Sequence, residues 1–259
     1  MPIQKPSDSS APVFFPKENY KISKYMDLTK FISLLQTRSL FFCRLDKLED
    51  EFEARLPQLS LNERNSFIHD IHSNIWVKEN PNKHIEEDIK NNEDSDMRNK
   101  RINCVNCWNK YHFESYALWK IYSNQGIMIL SNIDLLMESF NNTAENIYLS
   151  EVKYIDHNND YFPHNNAILP VIHKHKAYSY EEEIRLIYNI GYDKKDLHYN
   201  WEKEKNKMGK LLKIDLNILI DKIILSPYSS RWNFNLIKDL LDKYELKKEI
   251  FLSNLIFNK

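Results

Sequence analysis

A run of charged residues followed by apolar ones near residue 183 has the clearest potential for chemistry. The segment Tyr180–Ile190 (YEEEIRLIYNI) predicts a β-strand, because it is rich in branched and aromatic residues. Side chains alternate between the two faces of a strand, so Glu181, Glu183, Arg185 and Ile187 would share one face, with successive neighbours ~7 Å apart. The other face would carry Glu182, Ile184, Leu186 and Tyr188.

Two carboxylates at this spacing suit a site that stabilises positive charge. Arg185 would hold one of them ionised. One carboxylate would then stabilise a cationic transition state while the other orients an acceptor. A solvent-facing ladder of charges, answered by lysines on the next strand, explains the same pattern without any chemistry.

A second charged motif offers a competing chemistry. Glu151-Val152-Lys153 lies on the predicted strand Ile147–Tyr154, with both charged residues on one face. One class of nucleases uses such a Glu-x-Lys, in which carboxylates hold Mg²⁺ and the lysine meets the attacking water. A chain rich in lysine and glutamate also produces this tripeptide by chance, and the sequence marks out no partner aspartate.

The cysteines have the spacing of zinc ligands but not the rest of a zinc site. Cys104 and Cys107 are separated by two residues, and His112 is the nearest third candidate. On the predicted strand Ile102–Trp108, alternation sends the two thiols to opposite faces, so we expect ordinary buried cysteines and no metal. His112-Phe113-Glu114 matches the His-x-Glu of zinc deaminases, but the Pro-Cys-x-x-Cys that accompanies it there is absent.

Two further groups offer contacts to a ligand. His173–Lys176 (HKHK) is a basic patch that would suit phosphate, although a solvated loop is the simpler interpretation. Trp119 and Tyr122 lie on the predicted helix His112–Tyr122 and could stack on a planar ring, although core packing is the commoner use of such residues.

The segments between these motifs predict the framework that must position them. Further strands are predicted at Tyr20–Met26, Ser39–Leu45, Gly126–Leu130, Leu211–Asp215, Lys222–Leu225 and Lys248–Leu252, and further helices at 27–35, 132–140 and 232–246. Strands and helices do not alternate regularly, so we expect an α+β fold with a mostly antiparallel sheet and flanking helices. Residues 1–19 would be a flexible arm before a single domain at 20–259, which carries a polar, partly helical insertion at 57–101 with a mobile, charged tail.

Composition excludes several classes of protein. The 259 residues carry a net charge of -1, so no overall field draws the chain to nucleic acid or anionic lipid. The three glycines, at 126, 191 and 209, are too scattered for a Walker loop or a dinucleotide-binding fingerprint. Three cysteines do not suggest a disulfide framework, and no apolar run approaches the ~20 residues of a membrane span. We expect a cytoplasmic protein without membrane contact.

Taken in order, the motifs resemble a bacterial family named domain of unknown function 2971, over nearly the whole chain. The segments that carry the resemblance are Lys24-Tyr25, Leu40-Phe41-Phe42, Leu48–Glu53, Leu118–Tyr122, Gly126-Ile127, Val152–Tyr154, Tyr180–Arg185, Ile223–Leu225 and Ser253–Leu255. The family favours Asn-Asp-Pro-Phe-Glu where this chain has Glu49-Asp50-Glu51-Phe52-Glu53, so Glu49 and Glu51 depart from the pattern.

This order of elements is in turn similar to the ADP-ribosyltransferase fold, which implies a split sheet and NAD as a substrate. The resemblance places Glu183 at the ribose of NAD, where it steadies positive charge, Glu181 beside the acceptor, and Arg185 between the two. It implies NAD contacts from Lys24, Tyr25, Arg44, Trp119 and Tyr122. Among these, Lys24 and Arg44 would meet the pyrophosphate, and Trp119 or Tyr122 would flank the nicotinamide.

The activity implied by this resemblance is mono-ADP-ribosylation of a macromolecule, either nucleic acid or protein, in a toxin, phage-defence or stress-response setting. Two alternatives remain open at the level of sequence. One is the Mg²⁺-dependent nuclease built on Glu151 and Lys153, and the other is a non-catalytic binding or regulatory module.

Overall fold

The structure, a computed structural model, describes residues 2–4, 13–74, 81–122, 125–190, 192–193, 198–199 and 207–255. The strands are β1 (Ile3–Gln4), β2 (Lys21–Met26), β3 (Ser39–Arg44), β4 (Asn103–Lys110), β5 (Ile127–Asn132), β6 (Ile147–Glu151), β7 (Lys153–Ile155), β8 (His173–His175), β9 (Glu183–Asn189), β10 (Tyr192–Asp193), β11 (His198–Tyr199), β12 (Gly209–Lys213), β13 (Lys222–Leu225) and β14 (Ile250–Leu252). The α-helices are α1 (Leu28–Thr37), α2 (Gln58–Asn74), α3 (Pro81–Ile102), α4 (Tyr116–Tyr122), α5 (Ile133–Glu138), α6 (Leu216–Leu219) and α7 (Arg231–Lys243). Within these residues, no helix combines the length and the apolar character that crossing a membrane requires.

A ten-stranded mixed sheet organises the molecule. Its order is β1-β6-β9-β4-β2-β5-β13-β14, and β3 joins β4 to β12 at the side of this path. The pairs β1–β6 and β13–β14 are parallel, and the other pairs of this sheet are antiparallel. The pairs β7–β8 and β10–β11 form separate two-stranded sheets. The prediction of an α+β fold with a mostly antiparallel sheet and flanking helices is confirmed.

The two longest amphipathic helices of the predicted framework form for local reasons and pack on this sheet. Asp27 caps α1 by accepting the Lys30 N–H at 2.7 Å, and Ser230 caps α7 by accepting the Asn233 N–H at 3.2 Å. Apolar residues at helical spacing then turn inward and join one continuous core with strands β2, β4, β5 and β9. These residues are Phe31, Leu34 and Leu35 on α1, and Ile237 and Leu241 on α7.

Strand β4 is paired along almost its whole length on one side but only near its two ends on the other, so the main sheet is split beside it. On one side it pairs with β9 from Asn103 to Asn109. On the other side it pairs with β3 only at its second and third residues, and with β2 only at its last two. Strands β2 and β3 therefore diverge beside 106–108, and the sheet opens there.

The N-terminal residues that the structure describes are attached to the sheet, whereas the sequence predicted a flexible arm over 1–19. Ile3 pairs with Ile147 in parallel and is 1% exposed. The Phe14 N–H donates to the Ser150 hydroxyl at 3.0 Å. Apolar side chains anchor both segments, since burying an isoleucine stabilises by roughly 1.5–3 kcal/mol. Residues 1 and 5–12 lie outside the described part of the chain.

The strand predicted from Tyr180 begins three residues later, at Glu183. Residues Lys176–Glu181 form a 3-10 turn, and Glu182 ends it in the left-handed conformation, with φ 41°. Glu182 therefore leaves the strand pattern and contacts His112 at the surface, which corrects its predicted place on the apolar face. From Glu183 onward, alternation holds as predicted. Ile184 and Leu186 enter the main core, while Ile187 enters a second core on the opposite face.

The insertion predicted at 57–101 is mostly two helices, α2 and α3, that contact one another. Arg64 on α2 pairs with Asp96 on α3 at 3.0 Å, and His72 contacts Asp88 at 2.8 Å. The predicted charged tail is a continuous helix from Pro81, and its contacts with α2 support it. Residues 75–80 lie outside the described part.

Gly209 marks the closest approach of two strands, β3 and β12. A Cβ placed there would collide with the backbone carbonyl of Phe42 and would lie 2.8 Å from the Phe41 ring. We expect Gly209→Ala to lower the free energy of unfolding by about 1–3 kcal/mol, because backbone cannot yield as a side chain does. Urea unfolding measures this, with Lys213→Ala on the same strand as the control. A Gly209→Ala variant as stable as the control would contradict the close approach.

Candidate active site

The split in the sheet opens a cleft of about 900 Å³, a volume within the range of small-molecule sites. Its walls come from the diverging strands β2 and β3, from the loop after β3, and from the end of α4. Its floor carries the start of β9 and the 3-10 turn before it. The residues of this lining that matter below are Lys24, Glu53, Cys107, Tyr122, Lys174, Glu181, Glu183 and Arg185.

Side chains replace the missing strand partner along the open edge of β4. The Asn106 amide donates to the Phe41 carbonyl at 2.9 Å, and its oxygen accepts the Trp108 indole N–H at 2.9 Å. The Lys24 ammonium donates to the Cys107 carbonyl at 2.6 Å. Buried backbone groups require such partners, so these two side chains make it possible for the sheet to stay open.

Glu181 lies at the end of the 3-10 turn and is 5% exposed. One carboxylate oxygen accepts the Tyr122 hydroxyl at 3.0 Å, and the other accepts the Lys174 ammonium at 2.7 Å. Tyr122 belongs to α4, so this hydrogen bond joins the cleft wall to the floor.

Glu183 is the first residue of β9 and is the most heavily bonded carboxylate of the cleft. Arg185 donates to both of its oxygens, at 2.7 and 3.0 Å, and Lys174 donates at 3.2 Å. The Cys107 thiol is a fourth partner. Burial alone would raise the pKa of Glu183, but the positive charges of Arg185 and Lys174 outweigh it and lower the pKa to about 2. Glu183 is therefore a fixed anion.

Arg185 is fully buried and joins two carboxylates from distant parts of the chain. Besides Glu183, its guanidinium donates to Glu53 at 2.6 Å and to the Val171 carbonyl. Burial would lower the pKa of Arg185, but the carboxylates of Glu183 and Glu53 raise it well above its usual value. The same balance operates at Lys174. Burial would lower the pKa of its ammonium, but the neighbouring Glu183 and Glu181 raise it.

The hydrogen-bonded cluster of Glu53, Glu181, Glu183, Lys174 and Arg185 does not balance its own charge. Among its hydrogen-bonded groups, three carboxylates face two cations, while Lys100 acts on Glu53 through space. Lys24 acts on Glu183 only through space, and burial lowers its own pKa. A buried surplus of this kind favours the uptake of a proton or of a cationic ligand.

Three residues predicted to contact NAD line the cleft: Lys24, Tyr25 and Tyr122. Lys24 and Tyr122 have the contacts described above. Tyr25 is 6% exposed, and its hydroxyl accepts the Ser115 N–H at 3.1 Å. Burial raises the pKa of this phenol to about 12, so it acts as a neutral hydrogen-bonding group.

Arg44 does not reach the cleft, which corrects its predicted contact with pyrophosphate. It lies on the opposite face of β3 from Phe41 and Cys43, which line the cleft. Its guanidinium is 2% exposed and forms two hydrogen bonds with Asp46, at 2.8 and 2.7 Å. A third bond goes to the Lys207 carbonyl. These partners hold it inside the fold.

Trp119 is a structural residue outside the cleft lining, so of the two residues predicted to flank a nicotinamide, Trp119 or Tyr122, it is Tyr122 that lies at the cleft. Its indole is fully buried, packs edge-on against Tyr25 at 4.8 Å, and donates to Glu114 at 3.2 Å. Glu114 in turn accepts the Ser253 hydroxyl and the Asn254 N–H. The predicted His-x-Glu therefore anchors the C-terminal segment to α4.

Two residues of the cluster were not predicted as site residues. Lys174 was part of the basic patch expected to be solvated, but His173 and Lys174 are both about nine-tenths buried. Glu53 ends Leu48–Glu53, one of the segments that carry the family resemblance, and nothing else in the sequence pointed to it as a site residue. Its partner Arg185 is 132 residues away, a separation that no local pattern reveals.

The predicted nuclease pair does not form a site with other acidic groups. Glu151 ends β6 and accepts the Tyr20 hydroxyl at 2.7 Å. The predicted strand breaks at Val152, so Lys153 belongs to a different sheet, with its ammonium 4.9 Å from the Phe14 ring centre. Cys104 and Cys107 lie in separate cores, as alternation predicted. In the described part of the chain, no cluster of three or more His, Cys, Asp or Glu residues could hold a metal ion.

Comparison with protein-family models, with curated proteins and with solved structures found no match for this chain. The resemblance to the domain of unknown function 2971 family stays a prediction, and the site must be interpreted from its own geometry.

The burial of Arg185 predicts a large cost for its removal. We expect Arg185→Met to lower the free energy of unfolding by about 3–5 kcal/mol at neutral pH, because Glu53 and Glu183 would remain buried without a cation between them. Part of the loss should be recovered in mild acid, since protonation removes the unpaired charge. Urea unfolding at two pH values measures both effects. Arg231→Met, at an exposed helix start, is the control. A loss no larger than that of the control would show that the cluster is solvated.

The lowered pKa of Glu183 predicts the direction of an acid effect. Its folded-state pKa, about 2, lies below the ordinary 4.5, so its contribution is complete above pH 4.5 and is lost as the pH falls toward 2. We expect Glu183→Gln to cost on the order of 3 kcal/mol at neutral pH, and the difference from wild type to shrink on acidification. Glu182→Gln, exposed and one residue away, should show no such narrowing. A constant difference across this pH range would contradict the ionised, paired state of Glu183.

Proposed function

We propose that this chain is a mono-ADP-ribosyltransferase that uses NAD to modify a macromolecule, through the cleft at the split in its sheet. The observation that carries the proposal is the burial of Glu181 and Glu183 together at the floor of that cleft, opposite Tyr122 and Lys174. A mostly antiparallel split sheet with two glutamates at the head of a strand supports the ADP-ribosyltransferase-like assignment by analogy.

The surplus charge of the cluster suits this reaction. The bond between nicotinamide and ribose breaks with its electron pair leaving on the nicotinamide nitrogen, so the ribose carbon becomes positive. A carboxylate cluster with one unbalanced negative charge, shielded from water, stabilises that carbon more strongly than it stabilises the neutral products. The acceptor then bonds to the ribose carbon and releases its proton.

The lining of the cleft offers both signs of charge, as a dinucleotide with a cationic ring and an anionic diphosphate requires. Five basic and five acidic residues line it. Lys30 and Lys47 are its more exposed cations and suit the diphosphate, a contact first expected of Arg44. Tyr178 and Tyr180 line the same cleft and suit the nicotinamide ring, a contact first expected of Trp119 or Tyr122.

Among the residues that the structure describes, no specific contact favours the nuclease alternative, since Glu151 bonds to Tyr20 and Lys153 contacts the Phe14 ring. A non-catalytic binding module is the remaining alternative, and the same experiment separates it from the enzyme.

Incubation of the purified chain with NAD, with detection of released nicotinamide, tests the proposal. We expect wild type to consume NAD, and Glu181→Gln and Glu183→Gln each to reduce the rate by about 100-fold or more, a loss typical of removing one group that stabilises developing charge. Glu182→Gln is the matched control, because it makes the same change at the exposed residue between them, and it should retain the wild-type rate.

Unfolding curves show which variants remain folded, and Glu181→Gln keeps the test valid if Glu183→Gln does not fold. Calorimetric titration with NAD reports binding without turnover. Wild-type protein that neither binds nor consumes NAD would refute the proposal, as would Glu181→Gln and Glu183→Gln variants with undiminished turnover.

A further inference from the structure

Glu53 reaches the cluster from outside the Tyr180–Arg185 segment that carries Glu181, Glu183 and Arg185. It lies on the loop after β3, 132 residues before Arg185. The next residue, Ala54, is held in the left-handed conformation, with φ 52°, and its side chain is buried in the second core with Val171 and Ile187. A non-glycine residue in this conformation is uncommon and needs support from its surroundings. The loop is therefore fixed with Glu53 turned into the cleft, where it is 2% exposed.

The carboxylates of the cluster differ in how completely they are bonded. Glu183 has four donors and Glu181 has two. Glu53 accepts one side-chain hydrogen bond from the residues the structure describes, the 2.6 Å bond from Arg185. Because a carboxylate has about four acceptor sites, Glu53 has the most capacity left for a proton or a ligand hydroxyl.

The charged groups around Glu53 also favour proton uptake by its carboxylate. Arg185 and Glu183 face it from β9, Lys174 from β8, and Lys100 from α3. Burial raises the pKa of Glu53, and Glu183 adds to this effect. Arg185 and Lys174 oppose it, but Glu183 already shares both of these cations. The pKa values of the two carboxylates that share this guanidinium therefore differ, because Glu183 stays an anion and Glu53 is closer to neutral. Acid and base roles require a difference of this kind.

We propose that Glu53 is the proton-exchanging group of the cleft, and that its carboxylate takes the proton of the attacking acceptor. The inference rests on the proposed function for the identity of the reaction. As the acceptor oxygen or nitrogen bonds to the ribose carbon, its hydrogen passes to Glu53, and nicotinamide leaves with the electron pair of the broken bond. The proton also cancels the surplus negative charge of the cluster, so the site is neutral after transfer. When an acceptor is absent, water takes its place.

A ligand-free measurement tests the proton exchange itself. Carbon NMR of protein labelled at the glutamate carboxyl carbon follows each carboxyl through a pH titration. We expect one buried carboxyl to titrate above the ordinary glutamate range, and this signal to vanish in Glu53→Gln and persist in Glu51→Gln, an exposed residue of the same loop. If no carboxyl titrates there, or if the signal survives in Glu53→Gln, Glu53 is not the proton-exchanging group.

The pH profile of NAD hydrolysis tests the catalytic part. We expect the wild-type rate to fall on the acid side as Glu53 becomes protonated, with the midpoint found by NMR. Glu53→Gln should lose this acid limb and about 100-fold or more of the plateau rate, as expected of a general base. It should remain folded, because glutamine still accepts the Arg185 hydrogen bond and the change removes the surplus charge. Glu51→Gln should keep the wild-type profile.

The outcomes separate the two proposals. An active wild type whose acid limb persists unchanged in Glu53→Gln overturns the role of Glu53 but leaves the proposed function standing. A wild type inert toward NAD overturns the proposed function and the catalytic role of Glu53 with it, while the NMR titration still decides whether Glu53 exchanges the proton.

Discussion

The constraint on which the rest of the site depends is the complete burial of one guanidinium. Arg185 is the third residue of β9 and has no contact with water. A buried cation is tolerated only when anions and hydrogen-bond acceptors surround it, and these acceptors come from three places: its own strand, the loop after β3, and the carbonyl of Val171. Arg185 therefore fixes the loop of Glu53 and the segment before β8 relative to the sheet. Apolar residues of similar size often stabilise a fold as well as a buried ion pair does, so stability alone does not account for the charged cluster.

The second constraint is the split at β4, which costs backbone hydrogen bonds in the centre of a sheet. Asn106 and Lys24 replace part of that loss from the sides of the opening. Their role explains why a lysine sits on β2 among residues that are otherwise mostly buried. A continuous sheet would be simpler to build, but it would leave no entrance to the carboxylates at the head of β9. The opening and the cluster are thus parts of one arrangement, in which the sheet gives up pairing where a ligand would enter.

Much of the framework could be predicted from local sequence. The amphipathic stripes of α1 and α7 and the apolar run of β9 specify elements through periodicity and capping, and alternation correctly placed Glu183 and Arg185 on one face. Alternation also separated the two cysteines. What could not be predicted was set by tertiary contacts. The break before Glu183 depends on the left-handed Glu182, and the burial of Lys174 depends on two carboxylates that follow it in the chain.

The errors at single residues have the same origin. Arg44 has the charge that a pyrophosphate needs, but Asp46, two residues on, supplies a matching carboxylate and turns the guanidinium inward. Trp119 has the ring that a nicotinamide needs, but it is fully buried, where it packs against Tyr25 and donates its N–H to Glu114. In each case the residue type was suitable, but a nearby residue of the fold already bonds to its polar group. Residue type alone cannot reveal such competition.

Three carboxylates share two hydrogen-bonded cations in this cluster, an arrangement that would favour a cationic ligand over a neutral one. A balanced cluster would hold neither a proton nor a ligand cation strongly, whereas an isolated carboxylate in the same place would simply be protonated. Glu183 is kept ionised by Arg185 and Lys174, and the other two carboxylates, Glu53 and Glu181, reach the cleft from different elements. A positive centre that forms between them would be stabilised from two sides. A neutral ligand of the same shape would receive no such stabilisation.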